Sequence, residues 1–414
     1  MKNKKWIIIC ILILLFIGFI GVRFNQLYSG ADEAAHFDYI NHIIESHQLP
    51  VLSSKINFQQ LSIPQANPES IPTHNQHEAV QPPLYYVIAS IIGGFFSDIF
   101  SRLMVLRSFG VLLLLGSFYL NYLTYKILVK EKTLVSNDQL FFVTSLIFIV
   151  SPYFISIMIP LNNEHLLLLL VSTLFYNLTK YFYRTEFGFN NLIALSLLMG
   201  AIILTKLTAA YLVIIGAAFL TYKKKYAFIP LYLGIIILMV SPWLYFNFSQ
   251  YQSLTGILNH IEIVKPVVNP TNYQYTVIDI VKALPQFFVE FWFWDHDNEG
   301  VRVGRVTQLF LLFFSLILIV TVFFSPLLSF KKWVFFLYTL SIAGNISALI
   351  YATLTTPIFS LHGRYLYMNY IPFVLLTFAL ITNVTNKKYQ TAFTVIMFVA
   401  SILFGINNIQ DLVF

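Results

Sequence analysis

Hydrophobic positions in this chain form long, nearly unbroken runs. They do not alternate with polar ones as they would in half-buried strands. A run of about 20 apolar residues is what a helix needs to cross a bilayer. Eleven can be read: 6–24, 106–127, 139–160, 165–183, 190–205, 207–222, 226–247, 307–328, 333–354, 365–385 and 390–410. A further run, 83–97, is shorter and carries a Gly-Gly pair, so it reads as a span or as a helix lying in the interface. Two intervals between runs are long, 25–105 and 248–306. The pattern predicts an all-α polytopic bundle.

Composition removes the soluble alternative. The 414 residues are 58% hydrophobic and only 10% charged, against about 25% charged in soluble domains. Lipid must solvate the excess. The single cysteine, Cys10, lies inside the first run, which excludes a disulfide framework and a thiolate metal site. No repeat or long linker divides the chain, so residues 1–414 are expected to form one integral membrane domain.

Charge fixes the expected topology, because cytoplasmic segments are rich in Lys and Arg. With 83–97 read as interfacial, Lys2, Lys4, Lys5, Lys126, Lys130, Lys132, Lys180, Arg184, Lys223, Lys224, Lys225, Lys331, Lys332, Lys387 and Lys388 share one face. Only Glu131, Asp138 and Glu186 of the 18 acids join them. Making 83–97 a span would scatter these clusters. The expectation is therefore a protein of the cytoplasmic membrane, N-terminus inside, with both long intervals outside. The net charge of +7 is then topology and not a nucleic-acid footprint. The Lys-rich start and Ser29-Gly30-Ala31 weakly resemble a signal peptide, but the apolar run exceeds the 7–15 residues of a signal core, so an uncleaved anchor is expected.

Four polar elements stand at the outer ends of the runs. The first, Ser29 to Ile40, has Ser29 as a candidate helix N-cap and Asp32 three residues on. Phe37, Ile40, Ile43 and Ile44 recur at helical spacing, with Glu33, Asp38 and Glu45 facing elsewhere, which predicts an amphipathic juxtamembrane helix. Acids in a first helical turn need no function beyond the dipole. Capping needs one carboxylate, however, and Asp32 and His36 share a face at i, i+4. The second element runs from His77-Glu78 through Gln81-Pro82-Pro83 to Tyr85-Tyr86 and reads by itself as a proline-started interfacial helix. The third, Asn162-Asn163-Glu164-His165, is a tight turn. The fourth, His362-Gly363-Arg364-Tyr365, places an arginine where it either snorkels or clamps a phosphate with its planar fork. Lys206 is a weaker phosphate candidate.

In order and on one face, the Asp-Glu pair, the Pro-Pro-Leu-Tyr-Tyr element, the Asn-Asn-Glu turn and the Gly-Arg-Tyr element resemble the GT-C superfamily of polytopic glycosyltransferases. The likeness is nearest to the protein mannosyltransferase and aminoarabinose transferase branch, and the Asp-Glu-x-x-His-Phe form is similar to an uncharacterised bacterial membrane family. It covers the N-terminal half best. It implies a GT-C-like bundle that moves a sugar from a polyprenyl-phosphate donor to a hydroxyl of a glycan, lipid or protein acceptor, in cell-envelope assembly. It implies Asp32 as base, Glu33 as its companion and Glu164 as a second acid. Arg364 would hold donor phosphate, with Lys206, His77 and Arg102 as further cations, and His36, Asn163, Tyr85, His362 and Tyr365 would contact substrate. One departure is Gln81, where related transferases often carry a basic residue before the prolines. Direct displacement would invert the anomeric centre. A divalent metal on Asp32, Glu33, His36 or Glu164 suits hard oxygen donors, and the sequence leaves that open.

Two other classes compete with this reading. Ion-coupled transporters carry ionisable residues near the midplane, where these runs carry essentially none, which leaves a passive lipid-linked-glycan flippase. A non-catalytic envelope scaffold would be indifferent to loss of Asp32. The aromatic cluster Phe288, Phe291, Trp292, Phe293 and Trp294 is expected mostly at the interface, and Asp295 to Glu299 is expected to be a solvated loop tip.

Overall fold

The computed structural model describes residues 4–24, 27, 32–57, 75–149, 151, 154–155, 158–184, 186–269, 271, 273–291, 316–317, 319–321, 323–324, 333–384, 390–392 and 399. Among them the chain is helical, and the one β contact is an isolated bridge between Lys55 and Asn75. The helices are α1 (Lys4–Phe24), α2 (Glu33–Ser46), α3 (Leu84–Gly93), α4 (Ile99–Lys130), α5 (Asp138–Ile149), α6 (Glu164–Tyr183), α7 (Phe189–Ile203), α8 (Leu212–Tyr222), α9 (Phe228–Tyr251), α10 (Ile257–Val268), α11 (Val277–Glu290), α12 (Trp333–Thr355) and α13 (Tyr370–Val384). Short 3₁₀ turns occupy His77–Val80, Leu207–Ala209 and Gly363–Asn369.

Among the described residues, six helical stretches are long and apolar enough to cross a membrane: Lys5–Phe24, Ile99–Lys130, Glu164–Tyr183, Phe228–Tyr251, Trp333–Thr355 and Gly363–Asn383. The expectation of eleven is met only in this coarser form. The runs at 139–160, 190–205 and 207–222 contain shorter apolar helices, while 307–328 and 390–410 lie mostly outside the described residues. The 83–97 run forms the ten-residue α3, about 15 Å long at 1.5 Å per residue and so too short for a bilayer core of about 30 Å. It starts directly after Pro83, and Leu84 N–H donates to the Leu204 carbonyl at 2.9 Å, tying α3 to the end of α7.

The longest helix, α4, has 32 residues and spans about 48 Å. Asp98 starts it, its carboxylate accepting the Ser101 N–H at 2.7 Å. It packs chiefly along α6, and α7 along α9. Around them a large core joins Phe118, Tyr125, Phe141, Leu174, Phe175, Tyr338 and Phe378. A smaller apolar cluster, with Phe37, Ile40, Tyr85, Tyr86, Leu103, Leu106 and Leu161, seats α2 and α3 on α4 and the head of α6. The amphipathic juxtamembrane helix expected after Ser29 is therefore no surface float. All of Glu33 to Asn41 is buried, and only the later turns emerge. Phe288 and Phe291 are likewise buried in the main core. Ser29, Trp292, Phe293, Trp294 and Asp295 to Glu299 lie outside the described residues.

Candidate active site

The site is built where α2, the His77–Val80 turn, the Pro160–Glu164 turn, Lys206 and the Gly363–Asn369 turn converge. A cavity of about 130 Å³ is lined there by Asp32, His36, Glu78, Gln81, Pro160, Asn162, Asn163, Glu164, Lys206, Thr208, Arg364 and Tyr365. A small, mainly apolar hollow shares Glu164, Arg364 and Tyr365 with it and continues between Met158, Leu167, Leu168, Tyr367 and Met368.

Asp32 opens α2 with φ 62°, in the left-handed region. Of the described non-glycine residues with positive φ, His47, Lys132, Lys224 and Gln252 follow helix C-termini, where that conformation is common. Asp32 precedes a helix, where it is not. Its carboxylate makes no cap bond and receives the His77 Nε2–H at 3.0 Å instead. An aspartate that costs backbone strain and leaves the cap unmade is poorly explained as a helix starter. Burial alone would raise its carboxyl. The hydrogen bond and charge of His77, with His36 and Arg364 behind, hold it well below the carboxylate range. Burial works against a charged His77, yet Asp32 and Glu78 prevail and lift it to about 9. Both partners are thus charged at neutral pH.

His36 lines the same wall. Burial keeps it neutral by lowering its affinity for a proton, and its Nδ1 shares a hydrogen bond of 2.8 Å with the Tyr86 hydroxyl. Tyr86 stacks on Tyr39 with centroids 3.8 Å apart, which fixes α2 against α3. Glu78 has its Oε2 3.8 Å from His36 Nδ1, and that oxygen is buried without a hydrogen-bond partner. Opposite, Lys206 Nζ donates to Glu164 Oε1 at 2.6 Å. Tyr365 lies between two cations, with Arg364 4.9 Å and Lys206 5.7 Å from its ring centre. The Asn345 side chain donates to the Tyr365 carbonyl at 2.7 Å and holds this segment to α12.

Of the residues singled out from sequence, Asp32, His36, Gln81, Asn163, Glu164, Lys206, Arg364 and Tyr365 meet in this cavity. Others do not. Glu33 points to the opposite side, where Arg107 grips it with two bonds of 2.7 and 2.6 Å and Leu161 N–H adds a third at 2.7 Å. Arg102 is consumed by the Gly93 and Phe96 carbonyls and by Asn41, anchoring α3 to α4. Tyr85 is buried in the apolar cluster. His362 pairs with Glu290 at 3.2 Å. His77, expected beside phosphate, faces Asp32. Of the four metal candidates, Glu33 and Glu164 are committed to cations. Among the described residues, the group of ligand atoms that does gather is Asp32, His77 and Glu78. Glu78 was not singled out, although its signal was legible: a carboxylate beside a histidine in a chain this poor in charge.

Fold and site together describe a multi-pass helical membrane protein with a charged cavity among its described residues. No family model and no curated protein matches the chain. Its fold is similar to that of ArnT from Cupriavidus metallidurans in the apo state, at TM-score 0.51 and 13% identity, covering 95% of this chain. The chain spans 62% of the length of that structure. The likeness is one of fold: an ArnT-like helical architecture.

Proposed function

We propose that this chain is a membrane glycosyltransferase of the GT-C type, moving a sugar from a polyprenyl-phosphate donor to an acceptor hydroxyl at the outer face of the cytoplasmic membrane. One observation carries the reading. Asp32, Glu164 and Arg364, remote in sequence, line a single cavity in an ArnT-like fold. The class of donor and the branch of the family rest on the motif resemblance.

In the proposed reaction the acceptor oxygen attacks the anomeric carbon, and the carbon–oxygen bond to phosphate breaks with inversion. The electron pair leaves on phosphate, which needs a cation and no proton, and Arg364 supplies a fork matched to its oxygens. The hydroxyl proton passes to Asp32. Held ionised by His77, Asp32 is a weak base, which suits late transfer, once bond formation has acidified the hydroxyl. Glu164 is neutralised by Lys206 and orients the cation side of the cavity.

A metal fits one part of this site. Asp32, His77 and Glu78 would hold it, with a mixed nitrogen and oxygen donor set. When bound it would polarise an acceptor oxygen.

The test is single-turnover sugar transfer from a polyprenyl-phosphate donor by purified protein. Wild-type transfer is expected, falling with Asp32→Asn by about 10²–10⁴-fold, the worth of a positioned general base. Near-normal turnover by that variant would remove Asp32 from the chemistry. Cysteines at Ser53 and Lys224 should react with an impermeant thiol reagent from opposite sides, and labelling of both from outside would overturn the outer-face assignment.

A further inference from the structure

Glu78 is a carboxylate whose side chain is 8% exposed, yet its Oε2 has no hydrogen-bond partner. A buried polar oxygen left without a hydrogen bond is costly; Oε2 lies 3.8 Å from His36 Nδ1, while the other oxygen of the same carboxylate, Oε1, turns to His77. One ligand atom each from Asp32, His77 and Glu78 lies within 4.8 Å of the other two. His77 Nε2 is 3.0 Å from Asp32 Oδ1 and 3.8 Å from Glu78 Oε1. We infer that Asp32, His77 and Glu78 form a binding site for one divalent transition-metal ion on the acidic wall of the cavity.

Three further features fit a metal ligand set. His77 turns Nε2 to the cluster while Nδ1 is 3.4 Å from the Asn75 carbonyl, the outer bond that fixes ring orientation in metal-ligating histidines. The His77–Val80 turn is held from behind, because Gln76 accepts the Glu78 N–H at 3.2 Å and donates to Asp38 at 2.7 Å and to the Ala35 carbonyl at 2.9 Å. His260 Nδ1–H also donates to the His77 carbonyl at 2.9 Å, so α10 braces the turn from the far side. A bound ion would displace the Nε2 proton that His77 gives Asp32, leaving one imidazole nitrogen and two carboxylates as donors. That set favours Mn²⁺ or Zn²⁺ over Mg²⁺ or Ca²⁺, which take oxygen alone. Asp32 is about a third exposed, at 36%, so the site opens to the cavity and leaves coordination positions for a ligand oxygen. The sequence reading placed a metal on Glu33, His36 or Glu164 as well. Only Asp32 of those four belongs to this cluster.

This site shares the cavity of the proposed transferase, so its test uses Mn²⁺ alone and no sugar donor. Full-length protein in detergent is titrated with Mn²⁺ while free Mn²⁺ is followed by electron paramagnetic resonance. One bound ion per chain is expected. Glu78→Gln and His77→Gln should each weaken binding more than about tenfold, the lower end of what even outer-shell partners contribute to metal sites. Glu290→Gln, a carboxylate outside the cavity, should bind as wild type. For variants that fold poorly, the wild-type unfolding midpoint supplies a second reading, and it should rise with added Mn²⁺. No saturable binding, or binding unaffected by both cluster variants, overturns the inference. Binding without any sugar transfer would instead support the metal site and count against the transferase reading.

Discussion

Asp32 and Glu33 are neighbours in sequence, yet the start of α2 sends them to opposite fates. Glu33 is fully buried and gripped by Arg107, itself fully buried, and by the Leu161 N–H. Every part of that carboxylate is spent on joining α2 to α4 and to the turn that carries Asn162, Asn163 and Glu164. Asp32 turns the other way, in a strained conformation, onto the cavity beside His77 and Glu78. One acid is a strut and the other faces the cavity. The strut matters to the site because it fixes the distance between two of its walls, the Asp32–His36 wall and the Asn163–Glu164 wall.

The comparison can be broken at the strut first, where the largest effect is expected. Glu33→Ala leaves Arg107 buried without its partner and should cost about 3–5 kcal/mol of stability. The double variant Glu33→Leu with Arg107→Met, apolar on both sides, should recover most of it, read as the unfolding midpoint in detergent. Arg364→Ala addresses the opposite wall. Removing a charge-assisted phosphate contact, worth about 1.5–3 kcal/mol, should lower both donor affinity and turnover, and Arg364→Lys should restore only part because it lacks the fork. Gly363→Ala acts on the same wall through packing. A Cβ there would collide with the Phe287 carbonyl and the Phe291 N–H of the α11 end, and overpacking of this kind costs about 1–3 kcal/mol. Transfer should fall more than folded yield, since the segment that shifts carries Arg364. The smallest effect should be that of Asp32→Asn on stability. With no cap bond to lose and a partly exposed ion pair, the change should stay within about 1 kcal/mol.

Much of this architecture is legible in the sequence, for a physical reason. Apolar runs long enough for a bilayer announce themselves, so α1, α4, α6, α9 and α12 fall close to the expected runs, and Pro83 marks the start of α3. The order of polar elements also foretells a meeting of Asp32, Glu164 and Arg364. What periodicity does not disclose is which direction a carboxylate faces when its helix is buried all round. The amphipathic pattern of 33–46 puts Glu33 and Asp38 on an open face, but α3, α4 and the His77–Val80 turn cover that face. Glu33 then finds Arg107 and Asp38 finds Gln76. Arg102 and His362 lie outside the cavity lining because their side chains are held elsewhere, Arg102 by Asn41 of α2 and the nearby Gly93 and Phe96 carbonyls and His362 by Glu290. Glu78, a carboxylate beside a histidine, is legible as a polar position, but only the fold brings it to Asp32.

The most direct test pairs the two neighbours in one experiment. Asp32→Asn and Glu33→Gln are purified side by side, and each is measured for its unfolding midpoint and for single-turnover transfer from a polyprenyl-phosphate sugar. The account predicts that Asp32→Asn keeps a near wild-type midpoint and loses about 10²–10⁴-fold in transfer, while Glu33→Gln is strongly destabilised and whatever fraction folds still transfers. The opposite pattern, a folded and active Asp32→Asn protein beside a stable but inactive Glu33→Gln one, would contradict it and move the catalytic carboxylate one residue along the chain.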